Sequence, residues 1–101
     1  GRQVDYLISR EKGKVSLSHL ADVIKGLPNC IRNMQFIQNN LDEIDIKIVV
    51  DKSRYRVEYG ELIIGEMVYR FGKKMKFNLI MVDEIPREKS GKYSLIKNNI
   101  K

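Results

Sequence analysis

Apolar and polar residues alternate over several short stretches of this chain, and elsewhere apolar residues recur at helical spacing. The clearest alternation sets Ile44, Ile46, Ile48 and Val50 against Asp45, Lys47 and Val49. A period of two is what a strand with one buried face requires. Residues 31–38 predict a strand before it, with Met34 and Phe36 on one face and Gln35 and Ile37 on the other; the polar stretch 39–43 turns the chain between them. Met75, Phe77, Leu79 and Met81 alternate with Lys76, Asn78 and Ile80, which predicts a last strand with that row in the core. Near the start, residues 4–9 and 14–17 are short apolar stretches around Arg10-Glu11-Lys12-Gly13, the pattern of a hairpin loop.

Two stretches have helical spacing. Leu20, Val23, Ile24 and Leu27 fall at i, i+3, i+4 and i+7, with Ser18 placed to cap the start and Gly26 and Pro28 to end it. Tyr59, Leu62, Ile63, Met67 and Phe71 form a second stripe that stops at Gly72. Gly60 and Gly65 each oppose that helix by about 1 kcal/mol. Between strand and helix, residues 51–56 are a charged loop. The order β-hairpin, α, β, β, α, β predicts an α+β fold: a small split βαβ (ferredoxin-like) domain, its sheet mostly antiparallel, with two helices on one face. No internal repeat or linker interrupts residues 1–101, which are expected to form a single domain.

Length and charge narrow the field. The chain has 101 residues, enough for one modest core, and 19 basic against 13 acidic side chains give a net charge of +6. That balance favours anionic partners without choosing among them. No apolar run approaches the roughly 18 residues of a membrane span, and the opening lacks the order of regions of a signal peptide. One cysteine, Cys30, suits a reducing compartment, so a cytoplasmic location is expected.

Candidate chemistry gathers near the end, in Ile85-Pro86-Arg87-Glu88-Lys89-Ser90-Gly91-Lys92-Tyr93. Pro86 stiffens the way out of the last strand, and Ser90-Gly91 allows a tight turn with exposed backbone donors. Lys92 is then a compact point charge for a phosphate or carboxylate. A nucleotide-binding P-loop is excluded, because Pro86 stands where that loop needs its first glycine. Elsewhere ordinary structural roles suffice. His19 has no second histidine, and nothing joins Cys30 to it as nucleophile and base. Asp42, Glu43 and Asp45 fit a solvated turn without a metal, and Asp83, Glu84 and Glu88 lack the cleft of an acid–base pair.

The same stretch is similar to the C-terminal signature of acyl-adenylate-forming enzymes, in which a proline, a small hydroxyl residue and Gly-Lys lead to the catalytic lysine. Gly1-Arg2-Gln3-Val4-Asp5-Tyr6-Leu7 resembles the segment where the large N-terminal domain of that family hands over to the small one. Within the superfamily, the phenylacetate-CoA ligase and capsular-polysaccharide (CapK-like) branch is the nearest in pattern, with a Gln-x-x-Gln strand like Gln35-Phe36-Ile37-Gln38. The resemblance implies a small, mobile C-terminal domain that closes over ATP on its own large N-terminal domain. It implies that Lys92 is catalytic in joining a carboxylic acid to ATP, with Mg2+ held mainly by the large domain. Arg2, Ser90 and Gly91 would serve ATP binding, and the acyl group would pass to a thiol such as coenzyme A. The hinge position is Val4, where the family usually has Asp or Lys, and Asp5 matches the acidic neighbour. By itself the chain is expected to be inactive, because the rest of the site lies on the large domain.

Two other classes compete. A ferredoxin-like module at this charge could bind nucleic acid on its sheet, but that needs exposed aromatics on central strands, and residues 44–50 have none. A small-molecule-sensing or dimerisation module would be favoured by a free sheet edge at residues 44–50.

Overall fold

The computed structural model describes residues 6–91 and 93–100. Its first unit is a hairpin of β1 (Tyr6–Ser9) and β2 (Gly13–Ser16), paired antiparallel with Ser9 opposite Gly13. Gly13 closes the loop at φ +79°, a left-handed conformation that glycine adopts without a Cβ clash. The chain then runs directly into α1 (Leu17–Lys25). Ser16, not Ser18, caps this helix, because the cap needs extended backbone and β2 still supplies it there. Its hydroxyl accepts from the His19 N–H at 3.5 Å, while the Ser18 hydroxyl lies 2.9 Å from that of Ser16.

The central hairpin is β3 (Ile31–Asn40) and β4 (Glu43–Val50). Asn40 pairs with Glu43, so the turn is tighter than the expected 39–43 and leaves only Leu41 and Asp42 between the strands. A loop leads to α2 (Val57–Phe71), followed by β5 (Lys76–Met81) and a short last strand, β6 (Ile96–Asn98). The larger sheet has the order β5-β4-β3-β6.

The α+β class with two helices is as expected, but the larger sheet is mixed rather than mostly antiparallel. Only β3 and β4 are antiparallel; β5 joins β4, and β6 joins β3, in parallel. Helix α2 carries the chain back so that β5 runs beside β4 in the same direction, the connection a parallel pair needs. Residues 44–50 therefore lie in the middle of the sheet. The free edge that a dimerisation module would have used there does not exist.

One core joins the layers. Met34, Phe36, Ile44, Ile46 and Ile48 share a face by alternation and cluster with Leu20 of α1 and with Ile63, Met67 and Phe71 of α2. One residue of the expected core row and one of the expected α2 stripe stand exposed. Met81 is 49% exposed at the end of an outer strand, and Leu62 is 43% exposed. The buried stripe of α2 is Gly60, Ile63, Met67 and Phe71, and Leu62 is turned about 100° from Ile63 around the helix. Gly60 belongs to that stripe because there is no room for more. A Cβ there would lie 2.6 Å from the Tyr55 hydroxyl and 2.9 Å from Leu79 Cδ2. No helix among the described residues is long and apolar enough to cross a membrane.

Candidate functional site

Between β5 and β6, residues 82–91 and 93–95 have no regular structure. Ser90 and Gly91 are exposed at the tip of this loop. Gly91 has φ +82°, and nothing lies within 4 Å of where its Cβ would be, so a glycine is required by the backbone turn and not by crowding. The turn is closed by the Gly91 N–H donating to the Glu88 carbonyl at 2.8 Å, and Arg87 Nη1 donates to the Gly91 carbonyl at 3.3 Å. Glu88 also reaches Lys97 of β6, at 3.1 Å.

The far side of the loop is anchored more firmly. Ser94 is buried, and its carbonyl accepts a 2.8 Å hydrogen bond from Gln35 Nε2 on β3. Phe36 N–H donates to the Leu95 carbonyl at 2.8 Å, and β6 then pairs Phe36 with Ile96 and Gln38 with Asn98. Tyr93 is half-buried beside an apolar cleft of about 470 Å³ between α1 and β3, lined in part by Ala21, Ile24, Met34 and Leu95. Its buried hydroxyl has no hydrogen-bond partner among the described residues. It lies near the Met34 N–H, but that group donates to the Asn33 side-chain oxygen at 3.0 Å. Burial pushes the phenol above its ordinary pKa, and the weak Met34 contact only partly opposes this.

Strand β1 is held to the same edge of the sheet. Gln38, fully buried on β3, accepts from the Ile8 N–H and donates to the Ile8 carbonyl, both at 2.7 Å. Its side-chain amide thus pairs with β1 as a neighbouring strand's backbone would. Asn98 Nδ2 donates to the Tyr6 carbonyl at 3.0 Å, tying β6 to β1.

Of the site residues expected from sequence, Ser90 and Gly91 stand together on the exposed tip. Lys92, Arg2, Val4 and Asp5 lie outside the described residues. The residues read as structural are accounted for by local partners. His19 is exposed on α1 and its carbonyl accepts from Arg70 Nε at 3.2 Å, whereas Cys30 is buried. Asp42 pairs with Arg10 at 2.7 Å, an interaction that raises the Arg10 pKa, and Asn78 bridges Glu43 and Asp45. The Asn78 amide holds the Glu43 carboxyl below its usual range. Asp83 lies 3.8 Å from Lys52. On the face of the central strands opposite the core, Asn33, Gln35, Ile37, Asp45, Lys47 and Val49 offer no aromatic for stacking a base.

Sequence reasoning noted the two glutamines but missed what they hold, and it missed β6 entirely. The available signal was polarity: Gln35 and Gln38 stand beside the apolar Met34, Phe36 and Ile37, and amides buried to 3% and 0% exposure must each find a partner.

Residues 7–99 match the family described as the CapK C-terminal domain. The chain belongs to this family. It is also similar to Protein CapK of Staphylococcus aureus, at 34% identity over 101 residues. That alignment covers all of this chain and 22% of the relative. The loop from β5 to β6 and both glutamines lie within the matched region.

Proposed function

We propose that this chain is the C-terminal lid domain of an ATP-dependent carboxylic acid ligase of the acyl-CoA ligase kind, with Lys92 as its adenylation lysine. The observation that carries the reading is the form of the loop. An exposed glycine turn comes immediately before Lys92, and a buried, hydrogen-bonded root follows two residues after it. A lysine between such supports can be carried into a site on another domain without rearrangement of the domain that bears it. Membership of the CapK C-terminal domain family supports a role beside a larger N-terminal domain, the partner in this proposal.

In the reaction, a carboxylate oxygen of the acid attacks the α-phosphorus of ATP. A new P–O bond forms, the bond to the bridging oxygen of the β-phosphate breaks, and pyrophosphate leaves with the electron pair. The Lys92 ammonium neutralises the carboxylate and the α-phosphate oxygens as they approach. Arg2 contacts the ribose or phosphates of ATP, and Ser90 and Gly91 shape the backbone around the lysine. The domain then swings about Val4 and Asp5, withdrawing Lys92, and a thiol such as coenzyme A displaces AMP from the acyl carbonyl. In this reading Mg2+ is held mainly by the large domain. The site of action in this reading is the cytoplasm.

Carboxylate-dependent ATP–pyrophosphate exchange by the full-length protein tests it, over a panel of aryl and aliphatic acids. Lys92→Ala should lower exchange by about 10² to 10³ while ATP still binds, the loss typical of removing one preorganised charge-stabilising donor. Unchanged exchange in the variant would remove Lys92 from the chemistry. A wild-type protein inert with every acid would overturn the ligase reading. By itself the 101-residue chain should show no exchange.

A further inference from the structure

Helix α2 contains a glycine that nothing within the domain explains. Gly60 is needed because its neighbours leave no room for a Cβ, but Gly65 has nothing within 4 Å of where one would stand. It is exposed in the middle of the helix, and its φ is not positive, so the backbone does not require it either. A glycine at such a place weakens the helix. What it provides is an open floor on which another chain can approach closely. Gly65 lines an apolar groove of about 640 Å³ between α2 and β5, walled by Tyr55, Val57, Ile64, Leu79 and Met81. Val57 is 71% exposed and Met81 49%. Among the described residues that line the groove, only Glu61 is charged, so an apolar occupant suits it. Strand β5 pairs with β4 alone, which leaves the groove along an open edge of the sheet.

We infer that this groove seats an apolar segment of the large N-terminal domain; the inference rests on the lid-domain reading above for its partner. Two observations favour that occupant over a second copy of the chain. The match to the CapK relative covers 22% of that protein, so most of a protein of this kind lies outside the domain. A surface tethered to the domain reaches the groove at an effective concentration that a dilute second copy does not match. The groove is also continuous with the loop. Met81 ends β5, and the residues that follow it lead to the exposed Ser90-Gly91 tip. A partner that meets the tip is therefore placed to extend along Met81 and Val57. Exposed apolar surface of this kind, rimmed by polar residues, marks an interaction site.

The test is thiol labelling of the full-length protein at two positions of α2. Val57 and Tyr69 are exposed to nearly the same degree in the domain, 71% and 77%, so cysteines placed there should react alike if the groove is open. With a maleimide reagent, read by mass at each site, Val57→Cys should react at least about 10-fold more slowly than Tyr69→Cys, the ratio that a groove covered about nine-tenths of the time gives. Equal rates would overturn the inference. Adding Gly65→Gln to Val57→Cys should raise the slow rate to that of Tyr69→Cys, because the long side chain fills the floor while favouring the helix. The amides of Ile63 and Met67, in the buried stripe, should stay protected from hydrogen exchange, which separates undocking from unfolding. Slow labelling left unchanged by Gly65→Gln would also overturn the inference. Protection that grows with protein concentration, alongside a dimer in light scattering, would give the groove to a second copy and overturn it too. Failure of the ligase reading shows separately, as a wild type inert in exchange, while the labelling still decides what covers the groove.

Discussion

At the scale of single residues, buried amides and half-buried carboxylates behave differently. Gln38 pairs with both backbone groups of Ile8, and replacing it leaves a half-buried donor and acceptor without that partner. Gln38→Met should therefore lower stability by about 1–3 kcal/mol in urea unfolding, with the loss concentrated in the hairpin of β1 and β2. Glu43 and Asp51 are half-buried, and hydrogen bonds hold both carboxyls below their usual range. Asn78 is the main cause for Glu43, and the Ser53 hydroxyl, 2.7 Å away, is the main cause for Asp51. A depressed carboxyl contributes stability that is present above its unfolded pKa and lost as pH falls through the folded one. Thermal midpoints should drop on acidification through the carboxylate range, and Asn78→Leu should flatten that drop. An unchanged profile in Asn78→Leu would show that the bond to Glu43 has no energetic consequence. The polar residues that matter at this scale were visible in the sequence, but their partners were not. Gln35 finds Ser94 across 59 positions, a distance over which periodicity carries no information.

At the scale of elements, the two glycines of α2 have opposite roles that spacing could not separate. Gly60 faces Tyr55 and Leu79 with no space for a methyl group, while Gly65 faces open space. Gly65→Ala should stabilise the domain by about 0.5–1 kcal/mol through helix propensity alone. Gly60→Ala gains the same propensity but must push Leu79 and the Tyr55 ring aside, and overpacking of that kind costs typically about 1–3 kcal/mol. Opposite shifts in thermal midpoint are the expected outcome; two increases would mean that Tyr55 yields freely. The strands β3 and β4 and both helices were legible, because each carries a strong period of its own. Strand β6 was not, since three residues with one buried isoleucine leave no period to read. It is a strand because β3 offers it an edge.

At the scale of the whole molecule, that last strand does more than its length suggests. It closes one side of β3, buries Ile96 and ties Tyr6 to the sheet through Asn98. Ending the chain after Ser94 should cost about 3 kcal/mol or more, from the lost burial of one isoleucine and several hydrogen bonds. Native-like cooperativity in the shortened chain would show that β6 is an accessory. Alternation and helical spacing, both local properties of the chain, determined by themselves the α+β class and most element positions, and the Ser90-Gly91 pair marked the exposed turn before Lys92. The direction of the outer strands, the Ser16 cap, the place of β6 and the hold of Gln35 on Ser94 were decided only by the tertiary structure. The cap follows from where β2 ends, and the others depend on which distant backbone groups are left without a partner once the core has closed, since burial makes it costly to leave them so.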